Sequence, residues 1–94
     1  MGALTKKRDR LEVIFDILKL ISNNQNSIKP TPLLRQSNLS SSSFLQYYGD
    51  LIQKELVREI VDKSGGKYIT LTDKGFRYLE KYTLILGFIK EFEL

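Results

Sequence analysis

VREIVD at 57–62 and KYITL at 67–71 are both rich in β-branched residues, and Gly65 and Gly66 between them supply the freedom that a tight turn requires. Together they read as a two-stranded hairpin. On either side of it stands a helix start of the same design. Ser40 serves as N-cap, with Leu39 outside and Phe44 four positions inside, the spacing of a hydrophobic staple; Thr72 repeats the pattern with Leu71 and Phe76. One helix is therefore expected to lead from Ser40 towards the hairpin, with Phe44, Tyr48, Leu51 and Ile52 facing inward. Another is expected from Asp73 almost to the chain end.

The first third of the chain is helical too. From Arg10 to Ser22 the apolar residues Leu11, Ile14, Leu18 and Ile21 recur at helical spacing, and Val13, Phe15, Ile17 and Leu20 widen the stripe beyond one face. Such a helix is buried on more than one side. The polar run NNQNS at 23–27 closes it, with Asn23 or Asn24 the candidate for a left-handed end. Pro30 holds Ile28 and Lys29 extended. Thr31 then reads as N-cap to Pro32, giving a short second helix over 33–37 that Asn38 ends.

Helix, extended segment, short helix, brief turn, helix, β-hairpin and final helix is the sequential layout of a winged helix-turn-helix domain. The fold class is mainly α with a β-hairpin wing and a C-terminal helix. The run NLSSSSFLQYYGDLIQKELVREI, followed by KYITLTDKGFRYLEKY, resembles the ten-kilodalton archaeal winged-helix proteins, and the similarity extends from Lys7 to Phe92. That resemblance implies binding of duplex DNA by a homodimer. It also implies that the two chains join through C-terminal helices paired antiparallel about a twofold axis.

Ninety-four residues with 41% hydrophobic and 28% charged composition fit one small soluble domain. Residues 1–72 are read as its winged core and 73–94 as a dimerisation helix. The chain has no Cys and no His. Disulfides, zinc sites built on thiolate or imidazole, and imidazole-based catalysis are thereby excluded. With no Gly-rich phosphate loop and no recognisable carboxylate pair either, no enzyme activity, metal or cofactor is expected. So short a chain also leaves little room for a small-molecule pocket. The longest apolar stretch, 82–89, falls well short of the roughly 20 residues a membrane span needs, and the N-terminal residues lack the apolar core of a secretion signal. A cytoplasmic, nucleoid-associated protein with no membrane partner is the expectation.

Residues 1–35 hold seven basic side chains against three acidic ones, while 36–94 hold eight of each. The excess is N-terminal, and a basic patch attracts polyanions. Lys6, Lys7, Arg8 and Arg10 crowd the start of the first helix, where each positive charge opposes the helix dipole by a few tenths of a kcal/mol. Either a tail along the phosphate backbone or a solvated terminus accounts for them.

A recognition helix offers its first turn and outward face to the major groove. Ser41, Ser42 and Ser43 occupy that turn, where hydroxyls and free amides suit phosphate or base edges. The alternative is a solvated cap. Gln46 and Tyr47 are the candidates for base-edge contact, with packing under the wing as the other reading of Tyr47. Lys63 and Lys67 at the hairpin tip suit a wing on the minor groove or its phosphates, or else form an ordinary charged turn. Lys29 and Arg35 flank the second helix as backbone clamps or plain surface residues.

In the final helix Tyr78, Tyr82, Ile85, Ile89 and Phe92 alternate at spacings of four and three, the pattern of a coiled-coil seam. Leu79, Leu86 and Phe88 lie beside it. So many large apolar residues exceed what one stripe hides, and a second copy is the economical partner. Gly87 is read as part of this stripe, admitting a close helix approach. The functional reading is a dimeric duplex-DNA-binding protein, either a transcription regulator or a chromosome organiser. The other reading is a winged helix used for protein interaction.

Overall fold

The structure, a computed structural model, describes residues 8–94. Six elements follow in the expected order: α1 (Arg10–Asn23), α2 (Pro30–Ser37), α3 (Ser41–Gln53), β1 (Val57–Val61), β2 (Lys67–Leu71) and α4 (Asp73–Glu91). The fold is the winged helix-turn-helix read from the sequence. Among the described residues no helix is long and apolar enough to cross a membrane.

Caps account for most of the boundaries. Asp9 accepts from the Glu12 amide at 2.8 Å to start α1, Ser40 from the Ser43 amide at 3.2 Å to start α3, and Thr72 from the Gly75 amide at 3.1 Å to start α4. Each satisfies one of the orphan donors of a first turn. Helix α2 begins earlier than expected. Its N-cap position is Lys29, without a side-chain cap, and Pro30 rather than Pro32 opens the helix. Thr31 is inside the first turn, because a proline needs no partner for its missing N–H there.

The turn after α1 also departs from expectation. Asn24 ends the helix with φ −97°, its side chain donating to the Leu20 carbonyl at 2.7 Å, while Gln25 and Asn26 take the left-handed conformation. That places the Asn26 Oδ1 where it accepts from the Leu71 amide at 2.7 Å. After the turn, Ile28 exchanges two hydrogen bonds with Ile69, at 3.2 and 2.8 Å. Strand β2 is therefore flanked by β1 on one side and by Ile28 on the other. The hairpin is antiparallel, running in register from Val57 opposite Leu71 to Val61 opposite Lys67.

One core joins these elements: Val13, Ile14, Ile17, Leu18 and Ile21 of α1 meet Ile28, Leu33, Phe44, Leu51, Leu56, Val57, Ile69 and Leu71. Leu11, expected on this face, is exposed instead, as is Ile52 of α3. Of the two staples, the first is buried through Phe44, whereas Phe76 stays 43% exposed. The body of the domain ends near Tyr82, and α4 runs on past it, so the molecule measures 49 by 27 by 22 Å. The β-prone run at 82–89 remains helical throughout.

Candidate nucleic-acid interface

Asn38 takes a left-handed conformation at φ 61°, and this single residue turns the chain from α2 into α3. Ser37 reinforces the corner by donating its hydroxyl to the Leu34 carbonyl at 2.7 Å and accepting from the Leu39 amide at 3.3 Å. Helix α3 then buries Phe44 and Leu51. Because successive residues turn by about 100°, Ser42, Gln46, Gly49 and Gln53 form one stripe on the opposite side. All four are exposed. Ser41 is exposed next to them and Ser43 is half-buried, its amide taken by Ser40. Tyr47, about 100° round from Gln46, is half-buried against the core. Gln46 and Tyr47 nevertheless line one shallow hollow together with Arg10 and Asp50.

Charge around α3 is partly spent inside the molecule. Arg10 reaches from α1 to Asp50 at 2.9 Å and neutralises the carboxylate nearest the stripe. Arg8 donates to Asp16 at 2.7 Å and to the Ser37 carbonyl at 3.0 Å, tying α1 to the end of α2. Its guanidinium is a brace in this arrangement. Lys6 and Lys7, named with it, lie outside the described residues. Arg35 sits in the last turn of α2, exposed.

At the wing, the Asp62 carboxylate folds the turn around itself, accepting from the Ser64 amide at 3.0 Å, the Ser64 hydroxyl at 2.8 Å and the Gly66 amide at 2.7 Å. The Ser64 hydroxyl above all, then the Gly66 amide, hold its carboxyl below the usual range. Gly65 sits at φ 89°, which glycine alone adopts without strain. Lys63 is exposed at the tip. Lys67 faces Glu59 at 3.6 Å, and the Tyr48 hydroxyl also donates to Glu59. Burial first, then that hydrogen bond, push the Tyr48 phenol well above its ordinary pKa. Lys29 flanks α2 as its N-cap residue. Its ammonium lies over the Tyr68 ring, 5.6 Å from the centroid, and joins the cations of the wing.

Helix α4 is divided. Its first half packs on α1: the Tyr78 hydroxyl donates to the Leu11 carbonyl at 2.7 Å, and Tyr82 stands 4.7 Å from Phe15 and 6.0 Å from Tyr78, ring to ring. Its second half is bare. Leu84, Ile85, Leu86, Phe88, Ile89 and Phe92 are all exposed, Leu84 by 67%. Between the halves an open hollow is lined by Leu11, Leu56, Tyr78, Tyr82 and Ile85 and rimmed by Lys74, Arg77 and Lys81. Gly87 is about 180° from Tyr78 by helical phase and so lies behind the seam, not within it.

One residue escaped the sequence reading: Leu45, 65% exposed, edges the α3 stripe. The signal was the helical phase itself, since Ser42, Leu45, Gln46 and Gly49 recur at intervals of three, four and seven.

A helix-turn-helix with a hairpin wing, an unpaired outward helix face and cations at the wing is the architecture of a winged-helix domain. A family model described as winged helix-turn-helix matches residues 7–90, and the chain belongs to that family. An uncharacterized protein of Methanocaldococcus jannaschii is 40% identical over 75 residues, 80% of this chain and 32% of that protein. The chain therefore spans about a third of that relative's length. Among solved structures, the PcaV transcriptional regulator from Streptomyces coelicolor is similar with a TM-score of 0.72 at 15% identity, over 84% of this chain and 59% of that one. Sso10a-2, a DNA-binding protein from Sulfolobus solfataricus, is similar with a TM-score of 0.67 at 23% identity, over 92% and 83%.

Proposed function

We propose that this chain binds duplex DNA as a twofold homodimer and acts as a transcription regulator or a chromosome-organising protein. The observation that carries the reading is the α3 stripe: Ser42, Gln46, Gly49 and Gln53 stand outward on a helix whose opposite face is locked into the core. A polar helix face held rigidly is what enters a major groove. Ser41 and Ser42 at its positive end suit a phosphate, Gln46 suits an adenine edge, and Lys63 at the wing tip and Lys29 over Tyr68 suit the flanking backbone. Arg35 adds a cation at the end of α2. Tyr47 and Lys67 are assigned supporting parts, the first against the core and the second beside Glu59.

The similar proteins lend support, since one is a transcriptional regulator and another a DNA-binding protein. Dimerisation draws on the bare half of α4, with Ile85, Ile89 and Phe92 as its seam and Tyr78 and Tyr82 extending it towards the domain. Two recognition helices would then face successive major grooves about 34 Å apart.

A winged helix serving protein interaction is the other reading, favoured by Glu59 and Asp62, which offset Lys67 and Lys29 at the wing. A gel-shift titration on random duplex DNA at two salt concentrations decides between them. If about six phosphates are neutralised per dimer, log affinity falls against log salt with a slope of about −5. Replacing Lys63 by Ala weakens every sequence alike, whereas Gln46→Ala changes preference among sequences. A flat salt response, or no shift at low salt, rejects DNA as the partner.

A further inference from the structure

Leu45 is the most exposed of the large apolar side chains on α3. It is 65% exposed on a helix that has the inner positions Phe44 and Leu51 to bury, and its neighbours on the outward face are serine, glutamine and glycine. A single exposed leucine is ordinary on a protein surface; what bears on binding is the place of this one, at the edge of the α3 stripe. It also forms one wall of a shallow notch between α2 and α3, shared with Pro30, Thr31, Leu34, Ser41 and Phe44. The notch is mainly hydrocarbon. It opens beside the first turn of α3, where Ser41 and Ser42 present their hydroxyls.

We infer that Leu45 and this notch receive the 5-methyl group of a thymine in the major groove, making Leu45 a specificity-determining residue. The inference rests on the proposed DNA binding and deepens it. In the major groove a thymine presents one acceptor and one methyl, and the methyl is the apolar feature that sets it apart from cytosine. Gln46 lies next along the chain, about 100° round the helix on the other side of the Ser42–Gly49 line, so an adenine contact from Gln46 and a methyl contact from Leu45 would select adjacent A·T steps. Gly49, one turn further on the same stripe, has nothing within 4 Å of where a Cβ would stand. No intrachain contact requires glycine there, and its bare backbone lets the base edges come close to the helix at that point.

The test uses the whole chain and matched duplexes. Fluorescence anisotropy compares a random A·T-containing duplex pool with the same pool made with deoxyuridine for thymidine, which removes the methyl and leaves every hydrogen-bonding group. Burying one methyl is worth about 0.8 kcal/mol, or about fourfold in affinity. The unaltered chain is expected to bind the deoxyuridine pool about fourfold more weakly for each contacted methyl. Leu45→Ala, at an exposed position where folding survives, is expected to bind both pools equally. A second comparison, cytosine against 5-methylcytosine in G·C duplexes, restores a methyl at the same ring position and is expected to strengthen binding of the unaltered chain alone. Equal binding of thymine and deoxyuridine pools by the unaltered chain overturns the inference, as does discrimination that persists in Leu45→Ala. Binding to neither pool overturns the DNA reading itself, and the methyl contact with it.

Discussion

Gly75 lies against the Leu56 carbonyl so closely that a Cβ at position 75 would stand 2.3 Å from that oxygen. The neighbour is backbone, and it is engaged, accepting from the Thr72 amide at 3.2 Å. Thr72 in turn donates its hydroxyl to the Glu55 carbonyl at 2.6 Å while capping α4. The start of α4 is thus seated on the turn between α3 and β1 by a contact only glycine permits.

Gly75→Ala therefore forces either α4 or the Leu56 peptide to move. Overpacking of this kind costs about 1–3 kcal/mol. In a domain of this size about 1 kcal/mol lowers the melting temperature by 4–8 °C. Thermal unfolding followed by circular dichroism is expected to show a loss of roughly 10 °C, and an unchanged transition would show that the seat yields freely.

The helical glycines at 49 and 87 make the opposite case. Nothing lies within 4 Å of a Cβ at either, and glycine inside a helix is about 1 kcal/mol less favourable than alanine. Gly49→Ala and Gly87→Ala are each expected to raise the urea midpoint by an amount equivalent to about 0.5–1 kcal/mol. They differ in the binding assay. Gly49→Ala places a methyl on the α3 stripe and is expected to weaken DNA binding while stabilising the fold, whereas Gly87→Ala, behind the seam, is expected to leave binding alone.

Local signals made the fold legible. The caps at Ser40 and Thr72, the glycine turn at 65–66 and Asn38 as the end of α2 each depend on a residue and its near neighbours, so sequence alone places them. What sequence could not place depends on tertiary distance. Arg8 reads as a free cation until α2 brings the Ser37 carbonyl to it, and Lys29 until the hairpin folds Tyr68 beneath its ammonium. Tyr78 and Tyr82 fit a coiled-coil seam by spacing, but α1 takes them first, because Leu11 and Phe15 present a carbonyl and a ring at the same height. A leucine in a helix suggests core, and only the phase of Phe44 and Leu51 shows that Leu45 points away from it.

Alkaline pH should loosen the domain through its tyrosines. The Tyr78 phenol is pushed up to about 12, by burial first and then by the nearby Tyr82 and Asp9. Tyr48 and Tyr82 are raised as well, both mainly by burial. In each case the folded state keeps a proton that the unfolded chain releases from about pH 10. Their contribution is fully present below that value and is lost as pH rises through the folded-state pKa. The urea midpoint is expected to hold level from neutral pH to about 10 and then to fall towards 12. Tyr78→Phe, which lacks the ionising group, is expected to start lower for want of its bond to the Leu11 carbonyl and to fall less steeply. A midpoint that rises above pH 10 would refute the assignment.

The two halves of α4 are expected to separate association from folding. Ile85 and Ile89 are 51% and 41% exposed in the protomer, so charged residues there meet water rather than core. Ile85→Glu and Ile89→Glu together are expected to leave the unfolding transition of the winged core in place while abolishing the dimer. Sedimentation equilibrium reads this directly: the unaltered chain is expected at twice its 10.9 kDa mass at tens of micromolar, and the double variant at 10.9 kDa. Tyr82→Ala is expected to behave differently, because its ring packs at a tilt against Phe15 and its loss strikes α1 as well as the second half of α4. DNA affinity of the monomeric variant is expected to fall, since each half-site then dissociates alone instead of being held near its partner at a raised effective concentration. An unaltered chain that sediments as a single protomer at these concentrations refutes the dimer. DNA binding by that protomer would then rest on one α3 stripe and one wing.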